Sequence, residues 1–103
     1  RSAAVAVSVA AVRLVLAQNR PNPFGATTTI VYQVPGPRHI RLQIFDPAGR
    51  LVRTLVDGPA ESGEHAVFWD GRDDRGESAS SGVYFYRFDA DGAAHTRRMV
   101  LSR

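Results

Sequence analysis

The sequence predicts an all-β fold, an antiparallel sandwich of about seven strands with an extended N-terminal strand. Apolar residues alternate with polar or small residues in several short runs, which is the period of a strand with one buried face. Clusters of Gly, Pro and Asp separate these runs and are typical of turns. From Gln18 onward no run has a convincing helical period. Short strands at this spacing favour an immunoglobulin-like sandwich.

The size and composition fit one domain. The chain has 103 residues, of which 44% are hydrophobic and 22% charged, which is enough for a single core and argues against disorder throughout. A chain this short cannot house a large cofactor-binding enzyme. It contains no Cys, which excludes disulfides and thiolate metal sites. The 13 basic residues give a net charge of +3 but form no dominant cluster, so the sequence does not favour a nucleic-acid partner.

Residues 1–13 are predicted as an apolar N-terminal β-strand ahead of a domain over residues 14–103. Val5, Val7 and Val9 alternate with Ala and Ser, and β-branched residues favour strands. A helix is the rival interpretation, because alanine is the strongest helix former. After this run the bulky positions change phase, which indicates either two short strands or one strand with a bulge. The extension is too short to span a bilayer.

A rigid segment and two clearly alternating strands come next. Two prolines in residues 18–25 fix the backbone and remove two hydrogen-bond donors, so this segment is not predicted to join a ladder. Residues 28–34 and 39–45 alternate as strands, with a Pro-Gly-Pro turn between them. Their predicted inward faces are Thr28, Ile30, Tyr32 and Val34 in the first strand and Ile40, Leu42 and Ile44 in the second.

Turn residues divide the remainder of the chain. The sequence of residues 46–49 matches a type I turn, and Asp57-Gly58-Pro59 is predicted to break the chain. Residues 70–81 are predicted as a polar loop, and Asp91-Gly92 as a tight hairpin turn. The intervening strands are predicted over residues 50–56, 64–69, 83–89 and 95–101.

Five short motifs occur in the order found in one known family. They are Pro21-Asn22-Pro23-Phe24, the hairpin from Asp46 to Gly49-Arg50, Trp69-Asp70-Gly71, Gly82-Val83-Tyr84 and Arg98-Met99-Val100-Leu101. Over residues 14–103 the chain resembles the type A C-terminal sorting domain of type IX secretion substrates, which is similar to the Ig-like domain of flagellar hook-capping proteins. The resemblance implies a non-enzymatic bacterial module without a cofactor, which addresses a larger exported protein to the secretion machinery and the cell surface.

Several side chains also suggest site chemistry. The acidic loop Asp70, Asp73, Asp74 and Glu77 is a weak calcium candidate, since hard cations take clustered carboxylates. Arg72 and Arg75 lie within the loop, so a solvated turn held by Asp–Arg pairs is the simpler interpretation. His39, His65 and His95 have no metal-ligand spacing. Ser80, His65 and Asp70 can be combined into a hydrolase triad only on paper, because no nucleophile elbow is present.

Two aromatic features have a structural and a binding interpretation. Trp69 and the strand aromatics Tyr84, Phe85, Tyr86 and Phe88 either fill the core or form a sugar- or peptide-binding platform. Residues 21–24 either brace one end of the sandwich with Phe24 or are recognised by the secretion apparatus. The core and the brace are the interpretations that the sequence favours.

The N-terminal valines leave three interpretations open. The segment is an edge strand of its own domain, a linker from another domain, or a strand donated to a second copy. In the third case Val5, Val7 and Val9 fill pockets on the partner, and the head-to-tail contact propagates into a filament. The sequence therefore carries two function hypotheses, a sorting and surface-attachment module and a structural subunit of an extracellular filament. Both place the chain outside the cell or on its surface, without a membrane span.

Overall fold

The computed structural model describes residues 14–103, which form seven antiparallel β-strands in two sheets. The strands are β1 (Val15–Leu16), β2 (Thr28–Val34), β3 (Arg38–Phe45), β4 (Leu51–Ala60), β5 (Gly63–Trp69), β6 (Gly82–Ala90) and β7 (Ala93–Leu101). The predicted immunoglobulin-like sandwich is confirmed. Val5, Val7 and Val9, with the predicted N-terminal strand, lie outside the described residues. Over the described range there is no helix with the length and hydropathy to cross a membrane.

The two sheets differ in size. One has three strands in the order β1-β2-β5, and the other has four in the order β4-β3-β6-β7. The edge strands are therefore β1 and β5 in the three-stranded sheet and β4 and β7 in the four-stranded sheet. Packed face to face, the sheets bury alternate side chains of β2, β3 and β6.

The predicted inward faces of the central strands are confirmed. In β2 the buried residues alternate with half-buried ones, and in β3 the three predicted apolar residues are fully buried. The core also takes its aromatic residues from both sheets. Its buried members are Leu16, Phe24, Ile30, Tyr32, Val34, Ile40, Leu42, Ile44, Trp69, Tyr84, Tyr86, Phe88, Ala90, Met99 and Leu101.

The predicted break at Asp57-Gly58-Pro59 is wrong, because β4 continues through these residues to Ala60. Pro59 pairs with His39, and β3 is the only strand in the described chain that β4 adjoins. Proline lacks a backbone donor, yet an edge strand tolerates it where the missing N–H would have faced outward. At this sheet edge the turn-forming residues therefore do not end the strand.

Two ends of the sandwich can be distinguished. At the motif end, named here for the sequence motifs that meet there, β2 and β6 begin, and β5 and β7 end. At the far end lie the turn over residues 35–37, the connection over residues 61–62 and the hairpin turn at Asp91-Gly92. Asp91 and Gly92 both have positive φ, 48° and 83°, which confirms the predicted tight hairpin. β1 runs from the far end toward the motif end, since it is antiparallel to β2.

Candidate functional site

Residues from four of the five motifs pack together at the motif end. The Phe24 and Trp69 rings lie with centroids 5.6 Å apart, and the Trp69 and Tyr84 rings 5.5 Å apart in an edge-on arrangement. Leu101 of the last motif forms an isolated bridge with Phe24 and pairs with Gly82. The three rings and Leu101 are buried. The motifs are therefore primarily the structural core of this end.

The segment over residues 21–24 braces the outer edge of β7. The Phe24 amide donates to the Val100 carbonyl at 3.0 Å, and the Ser102 amide donates to the Phe24 carbonyl at 2.8 Å. Asn22 contributes its side-chain Oδ1, which accepts from the Val100 amide at 2.9 Å. These bonds satisfy edge groups of β7 that would otherwise face solvent. They support the brace interpretation of this motif, while a recognition role stays a prediction.

The turn after Trp69 is closed by the last residue of the chain. Arg103 donates from its guanidinium to the Gly71 carbonyl at 2.8 Å and to the Ala79 carbonyl at 3.1 Å. Gly71 has a φ of +76°, and a Cβ built on it would lie 2.5 Å from the Arg103 guanidinium. The indole N–H of Trp69 donates to the Arg72 carbonyl at 2.9 Å. Glycine is therefore favoured here by its backbone conformation, and an added Cβ would have to displace the Arg103 guanidinium from its two carbonyl partners.

We expect Gly71→Ala to lower the free energy of unfolding by about 1–3 kcal/mol, because left-handed strain adds to the clash with Arg103. Gly76→Ala is the matched control, since Gly76 has a similar φ of +86° with no atom within 4 Å of its built Cβ. Urea titrations of both variants separate the cost of backbone strain from the cost of the contact with Arg103. The Arg103→Ala background should bring Gly71→Ala close to Gly76→Ala, and an unchanged difference would contradict the proposed clash.

The hairpin motif at Asp46 is held by its own carboxylate. Oδ1 of Asp46 accepts from the amides of Ala48 at 3.0 Å and Arg50 at 2.9 Å, and Oδ2 accepts from Arg50 Nε at 3.0 Å. Gly49 has a φ of +86°, and its amide donates to the Asp46 carbonyl at 2.9 Å. The hydrogen bond from the Arg50 amide is the largest cause that lowers the pKa of Asp46. The motif is thus a self-contained turn.

The acidic loop uses its carboxylates within turns. Asp73 Oδ1 accepts from the amides of Arg75 at 2.9 Å and Glu77 at 3.0 Å, and Asp70 Oδ1 accepts from the Arg72 amide at 3.1 Å. Asp74 Oδ1 reaches the β4 backbone, where it accepts from the Thr54 amide at 3.1 Å. From residue 14 onward, no three His, Asp or Glu side chains gather as a metal site would need. Asp70 and Asp73 therefore act here as turn acceptors, and Asp74 joins the loop to β4.

The triad residues are not brought together as a hydrolase site would need. The Nε2 atom of His65 lies 2.7 Å from the Glu61 carbonyl, and its ring stacks on Tyr32 with centroids 5.3 Å apart. No hydrogen bond joins His65, Asp70 and Ser80. His39 pairs instead with Asp57, with 2.6 Å between Nε2 and Oδ1, on the outer face of the four-stranded sheet. These histidines therefore have structural partners.

A buried polar network was not predicted from the sequence. The Tyr86 hydroxyl accepts from the Asn19 amide and donates to the Ala17 carbonyl, both at 2.8 Å. The Asn19 side chain donates to Thr28 Oγ1 at 3.0 Å, and Thr28 donates to the Pro21 carbonyl at 2.9 Å. Burial raises the pKa of Tyr86 despite the Asn19 bond. The network fixes the chain between β1 and β2, and inward-facing Thr28 was the one sequence signal for it.

One aromatic side chain is exposed on a sheet face. Phe68 of β5 is 70% exposed on the outer face of the three-stranded sheet, and Val15 is 39% exposed on the same face. Tyr84, Tyr86 and Phe88 are buried, so these three strand aromatics belong to the core as the sequence favoured. Phe68 is thus an exposed apolar side chain on an edge strand.

Comparison with known proteins matches this architecture. The model of the FlgD Ig-like domain family matches residues 21–94. No curated protein matches the chain. The fold is similar to that of dimeric latent PorU from Porphyromonas gingivalis, with a TM-score of 0.70 and 20% identity over 86% of the chain. It is also similar to that of PorZ from the same organism, with a TM-score of 0.57 and 23% identity over 87% of the chain. The chain spans 9% of PorU and 11% of PorZ.

Proposed function

The chain belongs to the FlgD Ig-like domain family, and on this premise we propose that it is a non-catalytic module for type IX export and surface attachment. The module comprises residues 14–103 and acts as a C-terminal sorting domain of type A. Its role is to present a folded end to the secretion machinery on behalf of a larger exported protein. The observation that carries the proposal is the convergence of the sorting-domain motifs at the motif end.

The structural neighbours add support of a more general kind. PorZ is described as an essential bacterial surface component of the type-IX secretion system. Because such a component has a similar fold, we choose a bacterium with a type IX secretion system to test the function of this chain. The described side chains at the motif end serve turns and packing, which supports a module that binds a partner without chemistry of its own.

Arg98 is the motif side chain that we assign to recognition by the machinery. It is exposed on the outer face of β7, close to the brace over residues 21–24, and its guanidinium makes no hydrogen bond or ion pair within the described chain. The fold therefore does not need this charge. Arg guanidinium groups suit carboxylate recognition on a partner, and Arg75 offers a comparable exposed charge outside the motifs.

A reporter fusion in Porphyromonas gingivalis tests the proposal. A reporter with a signal peptide is fused ahead of the chain, and surface and periplasmic fractions are compared with and without PorZ. We expect surface delivery that requires PorZ and falls several-fold with Arg98→Ala but not with Arg75→Ala. A folded, protease-resistant fusion that stays in the periplasm, or export that persists without PorZ, would overturn the proposed function. Equal export of the two Arg variants would overturn the assignment of Arg98.

A further inference from the structure

We propose that the free edge of β5 is an acceptor for a β-strand, and that the strand it accepts is the valine segment over residues 4–10 of a second copy. The inference is independent of the export function proposed above. It rests on the edges of the two sheets, on the flank of the core beneath β5, and on the position at which the chain enters β1.

The long edges of the described sandwich are protected unequally. β4 has two register shifts against β3 and carries Pro59, and bulges and prolines are devices that block edge-to-edge pairing. β7 is covered toward the motif end by the segment over residues 18–24, including a bond from Gln18 Nε2 to the Arg98 carbonyl at 2.8 Å. β5 pairs with β2 over seven residues without a register shift and contains no proline. Within residues 14–103 it is therefore the least protected of the long edges.

The core is incompletely covered beside the same edge. The three-stranded sheet has one strand fewer than the other, and its edge strand β1 contacts β7 at the opposite side of the sandwich. In the described chain the unfilled strand position therefore lies on the side of β4 and β5. Although β4 has ten residues, none is fully buried. Partly buried apolar side chains line this flank, namely Val52, Leu55, Val56 and Ala60 from β4 and Val67 from β5. A fourth strand beside β5 would lie opposite β4 and cover them.

The valine segment has the pattern and length that this position needs. Residues 4–10 alternate small Ala or Ser with Val5, Val7 and Val9, and β5 also has seven residues. Paired antiparallel with β5 so that Val7 lies opposite His65, the segment directs its valines toward the flank and its small residues outward, on the face of exposed Phe68. Main-chain bonds then supply affinity and alternate side chains supply fit, as in other cases of strand addition.

The entry point of the chain favours a second copy as the donor. Val15 pairs with Gln33, so Leu14 enters beside Val34, where β2 ends at the far end. β2 therefore has no further residues with which residues before Leu14 could pair. Residue 10 is four Cα steps from Leu14, and these reach about 14 Å when fully extended. A strand beside β5 would lie three strand spacings from β1, which is also about 14 Å, so a connection within one copy would leave no length for the turn at either end. The donor segment would therefore leave at the far end of one copy and join the β5 edge of the next. Such a head-to-tail contact builds open chains.

Cross-linking tests the pairing directly, because the chain has no cysteine of its own. A Ser8→Cys chain is mixed with isotope-labelled Ala66→Cys chain and treated with a bismaleimide that spans the about 7–8 Å between diagonal cross-strand neighbours. We expect mixed dimers by mass spectrometry, at least tenfold above those formed with Ala94→Cys on the exposed half of β7. Equal yields with Ala66 and Ala94 would overturn β5 as the acceptor. A Ser8→Cys/Ala66→Cys chain that cross-links mainly within itself at low concentration would overturn the second copy.

Light scattering on the full chain supplies the matched control for the donor. We expect association to be lost when Val5, Val7 and Val9 are all changed to Asp. It should persist when Ala4, Ala6 and Ser8, on the small face, are changed to Asp with the same added charge. The urea midpoint should be equal in the two variants. A monomeric full chain, or equal loss of association in both variants, would overturn the proposal.

Discussion

Replacing Phe24 by alanine is expected to lower the free energy of unfolding by about 3–5 kcal/mol, as is typical of removing a buried aromatic ring. Phe24 is 2% exposed and packs against Trp69. Its backbone also makes two of the three bonds that hold residues 21–24 on the edge of β7. Loss of the ring therefore removes core volume and loosens the brace together. Since single domains are stable by only about 5–15 kcal/mol, the variant should be largely unfolded at elevated temperature.

Phe68→Ala is the matched control for this prediction. It deletes the same atoms from a ring that is 70% exposed, so its effect on stability should lie within about 0.5 kcal/mol. Urea unfolding followed by circular dichroism measures both variants, with unchanged slopes confirming that the same transition is compared. If both variants lost similar stability, the motif end would not be the part of the core that Phe24 stabilises.

The sequence pattern predicted the strands with one strictly buried face. Inward Ile40, Leu42 and Ile44 alternate with polar neighbours, and this period is a local property that needs no knowledge of the partner strand. The turn at Asp46 was predictable for the same reason, because its bonds are made within five residues. The family motifs identified residues that close one end of the sandwich. They did not predict that these residues pack against one another.

Properties that depend on distant partners were not predictable. The sequence of β4 contains turn residues at Asp57-Gly58-Pro59, and only the position of β4 at a sheet edge explains why the strand continues. The exposure of Phe68 likewise depends on which face of β5 turns outward beside an open edge. The contact between Gly71 and Arg103 joins residues 32 positions apart. Each of these features follows from topology and not from local pattern.

The two proposed functions use different surfaces of the fold. The motif end is closed by the brace, the Trp69 cluster and Arg103. β1 enters at the far end, and the edge of β5 runs between the two ends. Under the proposed export role the motif end contacts the machinery, which leaves the described edge of β5 to the proposed second copy. Export and self-association can thus occupy different surfaces of one small domain.

Replacing Tyr86 by phenylalanine is expected to lower the free energy of unfolding by about 2–3 kcal/mol, although the ring itself is kept. The lost hydroxyl accepts from the Asn19 amide and donates to the Ala17 carbonyl. Asn19 is 1% exposed, so water cannot replace the acceptor at its amide without opening the structure. An unpaired buried donor costs its full desolvation, and this cost is the main part of the expected loss.

Tyr84→Phe removes a hydroxyl from the same strand and serves as the comparison. The Tyr84 hydroxyl donates to the carbonyl of exposed Ser80 at 2.6 Å, where water can take its place, so the loss should be about 1 kcal/mol or less. Hydrogen exchange gives a second readout, since amides of residues 17–20 should exchange faster in Tyr86→Phe alone. Equal stability losses, with unchanged exchange in that segment, would show that the Asn19 network does not hold the chain between β1 and β2.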